Sequence, residues 1–136
     1  MKVKNHIKVS VSAVLIKDNK VLLGLRNGKS NPGFWEFPGG KLEYRESPLS
    51  AVVRETKEET NLDVKASKDL GYRNVLINDK HYLVLYYFVE MLNDSEDYNN
   101  NEPDKHSEFL WFDLDNLPSP LLDGVLSVIK SLELNK

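Results

Sequence analysis

The sequence predicts a single-domain α/β (α+β) fold, in which several strands and two helices share one hydrophobic core. Residues 8–16 alternate with the two-residue period of a strand, whereas residues 48–60 follow the 3.6-residue period of a helix. The length of 136 residues suits one domain, and a hydrophobic fraction of 40% is enough to build its core. Neither an internal repeat nor a linker divides the chain, so we expect one domain over residues 1–136.

A hairpin is predicted near the start of the chain. Residues 8–16 and 21–26 are the expected strands, and the polar residues 18–20 form the turn between them. Residues 27–33 are rich in Gly, Asn, Ser and Pro, which predicts a loop. A short extended piece over residues 34–37 follows this loop. Residues 38–40, Pro-Gly-Gly, should end that piece, and residues 41–43 are candidates for a further extended segment.

The first predicted helix has signals at both ends. Ser47 is a suitable N-cap, and Pro48 suits the first helical position. Asn61 lies just past the expected end, where a residue in the left-handed conformation commonly closes a helix. One side of this helix carries the residues expected to face the core, which are Leu49, Val52, Val53, Thr56 and Thr60.

The second half of the chain predicts three strands and a final helix. Residues 71–77 and 81–91 are the first two strands, and the apolar composition of the latter indicates a central strand covered on both faces. A polar loop over residues 93–103 leads to a strand at 108–112. Ser119-Pro120 repeats the cap-then-proline signal, so the last helix is expected to begin there. Its expected inward residues are Leu122, Val125, Ile129 and Leu132.

Composition excludes several classes of function. A formal net charge of −3 is unfavourable for binding nucleic-acid polymers through their phosphates. The absence of cysteine excludes disulfides, thiolate catalysis and iron–sulfur clusters, and it is compatible with a reducing, cytoplasmic location. No apolar run approaches the roughly 18 residues of a membrane helix, and the first ten residues do not resemble a signal peptide.

The first helix carries acidic residues in an unfavourable arrangement. Glu55, Glu58 and Glu59 share one face at spacings of three and four, where like charges repel by about 0.2–0.5 kcal/mol per pair. Glu58 and Glu59 also lie in the last turn, beside the negative end of the helix dipole. A divalent cation such as Mg²⁺, which prefers carboxylate oxygens, would remove the conflict. The alternative is an ordinary solvated face of an acidic helix.

The residues around this helix resemble a known motif. Gly40 is followed after five residues by Glu46, and after seven more by Arg54-Glu55-Thr56-Lys57-Glu58-Glu59-Thr60-Asn61-Leu62. This is similar to the Nudix box, G-x5-E-x7-R-E-U-x-E-E-x-G-U, in which U is a bulky apolar residue. Two positions depart from it, because Thr56 replaces an apolar residue and Asn61 replaces glycine. The Thr56 methyl can still pack, and Asn61 tolerates the left-handed conformation.

The resemblance extends along most of the chain, roughly over residues 8–134. Residues 35–43, which lead into the box, resemble MutT-type Nudix enzymes, and so do Glu102-Pro103-Asp104-Lys105, Trp111-Phe112 and Leu117-Pro118 in the second half. It implies a Nudix fold, with a mixed central β-sheet sandwiched between helices (α/β/α).

The resemblance also implies roles for the box residues. Glu58, Glu59 and the backbone carbonyl of Gly39 would ligate Mg²⁺, with Mn²⁺ as an alternative. Glu55 would be either a further ligand or the base that activates water. Arg54 would hold a box carboxylate through a charge-assisted pair. Glu46 completes the expected catalytic set as a supporting residue.

Outside the box the candidates are fewer. Glu108 is preferred to Glu102 and Asp104 as one more metal ligand, although a solvated acid is an equal alternative. Arg26 ends a predicted strand and is a candidate contact for a substrate phosphate. The alternative for Arg26 is an ordinary surface position.

Three aromatic residues, Trp35, Phe37 and Trp111, are candidates for stacking on a base. We retain Trp35 and Phe37 as nucleotide contacts. Aromatic residues beside strands more often belong to the core, which is the alternative for all three.

The activity that the resemblance implies is Mg²⁺-dependent cleavage of nucleoside triphosphates, unmodified or oxidised, to nucleoside monophosphate and pyrophosphate. Alternatives are a pyrophosphatase of ADP-ribose or another nucleotide sugar, a dihydroneopterin-triphosphate pyrophosphatase, and a non-catalytic ligand sensor. The expected partner is a small-molecule nucleotide, with no nucleic-acid polymer and no membrane. A homodimer remains open, since Nudix enzymes are often dimers.

Overall fold

A computed structural model describes residues 5–28, 31–93 and 97–134. Within these ranges the chain forms seven strands and two helices. In chain order the elements are β1 (Ile7–Lys17), β2 (Lys20–Arg26), β3 (Trp35–Glu36), β4 (Gly39–Lys41), α1 (Pro48–Thr60), β5 (Val64–Ile77), β6 (Lys80–Met91), β7 (His106–Asp113) and α2 (Val125–Leu134).

The strands form one mixed sheet with the order β3-β2-β1-β6-β5. The β1–β6 pair is parallel and runs from Ile7↔His81 to Leu15↔Val89, and the other pairs are antiparallel. Two strands lie off this path, because β4 pairs with β1 and β7 pairs with β2. The parallel pair places β6 between β1 and β5, so the prediction of a central strand at residues 81–91 is confirmed.

Strands β1 and β2 separate soon after their hairpin. They pair only at Ile16↔Val21 and Lys17↔Lys20, beside the turn at Asp18-Asn19. Beyond that point β1 pairs with β4 and β6, whereas β2 pairs with β3 and β7. The separation opens a cleft in the sheet, and residues of both strands line it.

A helix covers each face of the sheet. Helix α1 contributes Ala51 and Val52 to a buried cluster with β1 and β6, whereas α2 contributes Val128 and Ile129 to a second cluster on the opposite face. Strand β6 supplies side chains to both clusters, Tyr86 to one and its neighbours in sequence to the other. The structure thus confirms a mixed sheet between helices. No helix of the described ranges combines the length and the apolar composition that a membrane span requires.

The caps of α1 agree with the prediction. The Ser47 side chain accepts a hydrogen bond from the Ser50 N–H at 3.1 Å, and Pro48 begins the helix. Asn61 closes it with φ 66°, and its N–H donates to the Lys57 carbonyl. Thr56 is fully buried and donates its hydroxyl to the Val52 carbonyl, as expected of a residue on the core side.

Three local expectations were wrong. Leu49 is 54% exposed, because the buried face of α1 includes the carboxylates of Glu55 and Glu59 rather than this residue. Helix α2 begins at Val125 and not at Pro120, since the Pro120 carbonyl accepts from the Trp35 N–H and this segment runs beside β3. Residues 39–41 form β4, although the Pro-Gly-Gly sequence at residues 38–40 was expected to end the extended segment before it.

Candidate active site

The cleft between the separated strands has a volume of about 620 Å³. Its polar end is formed by Gly39, Gly40, Glu55, Glu59, Lys105 and His106. Its other end is mainly apolar and is formed by Phe37, Val75, Ile77, Tyr86, Leu122 and Val125, with Asp123 beside them. One continuous cavity therefore joins a group of ionisable side chains to an apolar compartment.

Glu59 is the most deeply buried acid of the polar end, with no exposed surface. Its Oε1 accepts a hydrogen bond from the Gly39 N–H at 2.8 Å. Its Oε2 accepts none, and the closest cation is the Lys105 ammonium at 3.4 Å. Burial raises the pKa of Glu59 to about 7, although the charges of His106 and Lys105 and the Gly39 hydrogen bond act in the opposite direction.

Glu55 is buried one helical turn before Glu59. Its Oε1 accepts a hydrogen bond from Arg54 Nη1 at 3.0 Å, whereas its buried Oε2 has no hydrogen-bond partner. Burial raises the pKa of Glu55 above its ordinary value, with the positive charges of Lys105 and Arg54 opposing that shift. The carboxylate packs directly on Gly40, where a Cβ would lie 2.4 Å from the Glu55 Cδ. Any side chain at position 40 would force this carboxylate to move.

Arg54 donates hydrogen bonds to three carboxylates of the box. Its Nε and Nη2 donate to the two oxygens of Glu46 at 2.7 and 3.0 Å, a bidentate pair. Its Nη1 donates to Glu55, and to both oxygens of Glu58 at 3.1 Å. The Arg54 hydrogen bond lowers the pKa of Glu46 below its ordinary value. The expected pairing of Arg54 with a box carboxylate is thus present, and it involves three of them.

These residues fit a hard divalent cation at the polar end. Glu55 Oε2 and Glu59 Oε2 are buried, lack hydrogen bonds and belong to residues that line the same cleft. Mg²⁺ prefers oxygen ligands such as carboxylates, and these two oxygens accept no hydrogen bond that would compete with it. Over residues 5–28, 31–93 and 97–134, however, no three acidic or histidine side chains converge as a ready metal site. The Glu58 carboxylate accepts hydrogen bonds from Arg54 instead. The Glu58 side chain would therefore have to rotate in order to ligate a metal ion.

A second network of polar side chains, which the sequence did not predict, lies beside Glu59. His106 is 2% exposed, and its Nε2 lies 2.8 Å from Glu36 Oε2. Glu36 Oε1 in turn accepts from Arg26 Nη1 at 2.8 Å. His106 Nδ1 points towards Glu59 Oε2 at 3.8 Å, beyond hydrogen-bond distance. Gly24 on β2 makes room for this ring, since a Cβ there would lie 2.8 Å from His106 Cδ2.

The candidates outside the box occupy different environments. Arg26 and Phe37 line the cleft, and the Phe37 ring meets Tyr86 edge to face at 5.9 Å. Trp35 is 9% exposed and packs edge to face on Phe112 at 4.8 Å, which places it in the core. The described residues that line the cleft do not include Trp35.

The acidic candidates of the later segment are not among the described residues that line the cleft. Glu108 is exposed on β7, opposite Leu25, and is not among the described cleft residues. Glu102 pairs with Lys105 at 3.8 Å, and Asp104 is exposed. From this segment it is Lys105 and His106 that reach the cleft, the two residues for which sequence reasoning assigned no role.

The apolar end of the cleft has one acidic side chain and one buried phenol. Asp123 is exposed and lines the cleft just before α2. Burial raises the pKa of Tyr86 to about 12, so its phenol is neutral at physiological pH. Gly124 has φ +93°, and a Cβ there would lie 2.5 Å from the Tyr86 hydroxyl oxygen. Glycine at this position therefore lets the phenol reach the cleft wall.

Comparison with known proteins shows the family to which the chain belongs. Residues 6–132 match the NUDIX domain family model. An ADP-ribose pyrophosphatase of Methanocaldococcus jannaschii is 34% identical over 87% of this chain and 69% of its own length. An 8-oxo-dGTP diphosphatase of Proteus vulgaris is 36% identical over 63% of this chain and 78% of its own length.

A solved structure supports the same assignment. The MutT NUDIX hydrolase of Burkholderia pseudomallei superposes with a TM-score of 0.81 at 28% identity, covering 93% of this chain and 98% of that one. Fold and site define a hydrolase that acts on pyrophosphate bonds. The chain belongs to the Nudix family, and within it is MutT-like. The wider expectation of one domain over residues 1–136 stays a prediction.

Proposed function

We propose that this protein is a Mg²⁺-dependent pyrophosphohydrolase that cleaves nucleoside triphosphates to nucleoside monophosphate and pyrophosphate. The observation that carries the proposal is the continuous cleft of about 620 Å³, with two buried carboxylate oxygens that accept no hydrogen bond at one end and an apolar compartment at the other. A triphosphate and a flat base need these two environments, side by side. The 8-oxo-dGTP diphosphatase among its relatives supports the same substrate class.

The residues that would hold the cation are Glu55, Glu58, Glu59 and Gly39. When bound, a divalent cation neutralises charge on phosphate oxygens and lowers the pKa of a coordinated water. Mn²⁺ is expected to substitute, because it also prefers oxygen ligands. Glu108 is exposed and outside the cleft, so we do not include it in this set.

The chain's own groups position the reacting parts. Glu55 is held from one side by Arg54 and packed on Gly40, and it would act either as a further ligand of the cation or as the base for the attacking water. Arg54 and Glu46 fix the carboxylates relative to the helix through their bidentate pair. In the overall reaction a water oxygen attacks a phosphorus atom, the phosphoanhydride bond breaks, and pyrophosphate leaves.

The apolar end is the proposed base compartment. Phe37 and Tyr86 supply aromatic walls, and Asp123 is a charged acceptor at the rim. A carboxylate there favours a base edge that presents N–H donors. Trp35 is not included among the base contacts, because it packs in the core.

A panel assay tests this proposal. The purified protein is incubated with nucleoside triphosphates, oxidised triphosphates and ADP-ribose, with Mg²⁺ or with chelator, and the products are separated by chromatography. The proposal predicts monophosphate and pyrophosphate from triphosphates, only with metal, and a loss of both in Glu58→Gln. Triphosphates left intact by folded wild-type protein in Mg²⁺ would contradict it.

ADP-ribose is the second candidate substrate. It is favoured by the named ADP-ribose pyrophosphatase that aligns over 87% of this chain. The same panel separates the two, because ADP-ribose would yield AMP and ribose phosphate without releasing pyrophosphate. Turnover of ADP-ribose alone would move the assignment to nucleotide sugars.

The remaining expectations concern context. Free nucleotides rather than nucleic-acid polymers are the proposed partners, and the net charge of −3 supports this. A cytoplasmic location and a homodimer stay predictions. Light scattering of the purified protein measures the oligomeric state directly.

A further inference from the structure

We propose that Lys105 is a mobile counter-ion of this site. In the metal-free protein its ammonium lies against Glu59, and once a divalent cation binds there the ammonium moves to the phosphate groups of the substrate. This inference rests on the proposed function, since it requires both a metal ion and a phosphate substrate in the cleft.

The position of Lys105 is the first observation. Its Nζ lies 3.4 Å from Glu59 Oε2 and 3.8 Å from Glu102 Oε1. Glu59 Oε2 is buried and accepts no hydrogen bond, so the ammonium stands beside one of the two oxygens that fit a cation. A divalent cation and an ammonium cannot share this oxygen without strong repulsion.

The freedom of the side chain is the second observation. The Lys105 side chain is 50% exposed, whereas Glu59 is fully buried. Its backbone is fixed, because the Lys105 N–H donates to the Glu102 carbonyl at 3.0 Å and its carbonyl accepts from the Asn27 N–H at 2.9 Å. A flexible four-carbon stem on a fixed backbone confines the ammonium to this part of the cleft while allowing it to change partners.

The lining of the cleft is the third observation. Lys105 lines it together with Gly39, Gly40 and Glu55, where the phosphates must meet the metal ion. Phosphate oxygens offer the ammonium new charge-assisted hydrogen bonds when it leaves Glu59. The same charge can thus serve two partners in succession.

Two measurements on Lys105→Gln and Lys105→Arg test the proposal. Mn²⁺ binding without nucleotide is followed by titration calorimetry, and kcat and KM are measured with the best triphosphate of the panel. Lys105→Gln should bind Mn²⁺ about fivefold more tightly, because the competing ammonium is gone. Its KM should rise about tenfold or more through loss of the phosphate contact, with a smaller change in kcat. Lys105→Arg should stay near wild type in both.

Lys130→Gln is the matched control, because Lys130 is an exposed lysine of α2 and is not among the described cleft residues. A purely structural Lys105 would leave Mn²⁺ affinity unchanged or weaken it on substitution, and either result overturns the proposal. An unchanged KM also overturns it. Wild-type protein that neither binds Mn²⁺ nor cleaves triphosphates would defeat the proposed function as well, whereas an active wild type with an unaffected Lys105→Gln would defeat this inference alone.

Discussion

The contacts of individual box residues explain why each residue type is needed at its position. Gly40 leaves room for the Glu55 carboxylate, and the Gly39 N–H binds Glu59. Arg54 connects three carboxylates that would otherwise repel one another. One guanidinium therefore stabilises the acidic helix without a metal ion, while Glu55 Oε2 and Glu59 Oε2 accept no hydrogen bond.

Gly40→Ala should damage activity more than stability. The new Cβ would fall 2.4 Å from the Glu55 Cδ and displace that carboxylate. We expect kcat to fall by about two orders of magnitude, as for an ångström-scale displacement in a site, and a stability loss of about 1–3 kcal/mol from overpacking. Steady-state kinetics and urea unfolding measure the two effects. Gly28→Ala is the control, since Gly28 also lines the cleft but its Cβ would meet nothing within 4 Å. Equal activity in both variants would refute the role given to Gly40.

The buried carboxylate of Glu59 should make the metal-free protein less stable as pH rises. Its pKa of about 7 lies above the ordinary 4.5, so between these values the folded state holds a proton that the unfolded chain has released. Folding stability should therefore fall between pH 5 and 7.5, by up to about 3 kcal/mol. Glu55, whose pKa is also raised by burial, acts with the same sign.

Urea unfolding in chelator at several pH values tests this dependence. Glu59→Gln keeps the shape of the side chain without its titration, so its stability should fall less steeply over the same range. Glu46 does not affect this comparison. Because its pKa is lowered, its contribution to the free energy of unfolding changes only below about pH 4.5. Parallel curves for the two proteins would contradict the explanation.

Among the helices and strands, the sequence predicted correctly those features that depend only on a few consecutive residues. Ser47 and Asn61 cap α1 as expected, because capping is a property of a few consecutive residues. The beginning of α2 was missed, because residues 120–122 pair with Trp35, which lies far away in sequence. The site residues likewise fall into a group that local sequence predicts and a group that it does not. The contiguous box was predicted, whereas Lys105 and His106 reach the cleft through long-range pairing of β7 with β2.

The end of α1 offers a direct test of the departure from the box at Asn61. Asn61 has φ 66°, and its N–H bond to the Lys57 carbonyl survives any non-proline substitution. Asn61→Ala should lower stability by about 1 kcal/mol, because alanine disfavours the left-handed conformation. Asn61→Gly should be neutral or stabilising. Thermal unfolding compares the two, and an alanine variant as stable as the glycine variant would contradict the assigned role of this cap.

The whole molecule is organised around the separation of β1 and β2. Each strand recruits different partners, and the resulting gap holds the cleft between the two helix-covered cores. Acidic groups from α1 and basic groups from β7 and its preceding loop meet at one end of this gap. The apolar core beneath α2 borders the other end. The fold therefore supplies both a polar site for phosphate chemistry and a compartment for a base.

Anomalous diffraction from crystals soaked in Mn²⁺ would show directly whether these carboxylates bind a divalent cation. We expect a peak at the polar end of the cleft, about 2.1 Å from Glu55 Oε2 and Glu59 Oε2, with Glu58 turned away from Arg54 and Lys105 displaced from Glu59. The same soak with Glu59→Gln should lose or weaken the peak. A peak bound elsewhere, or no peak while Lys105 keeps its contact with Glu59, would contradict the assignment of these carboxylates as the metal site.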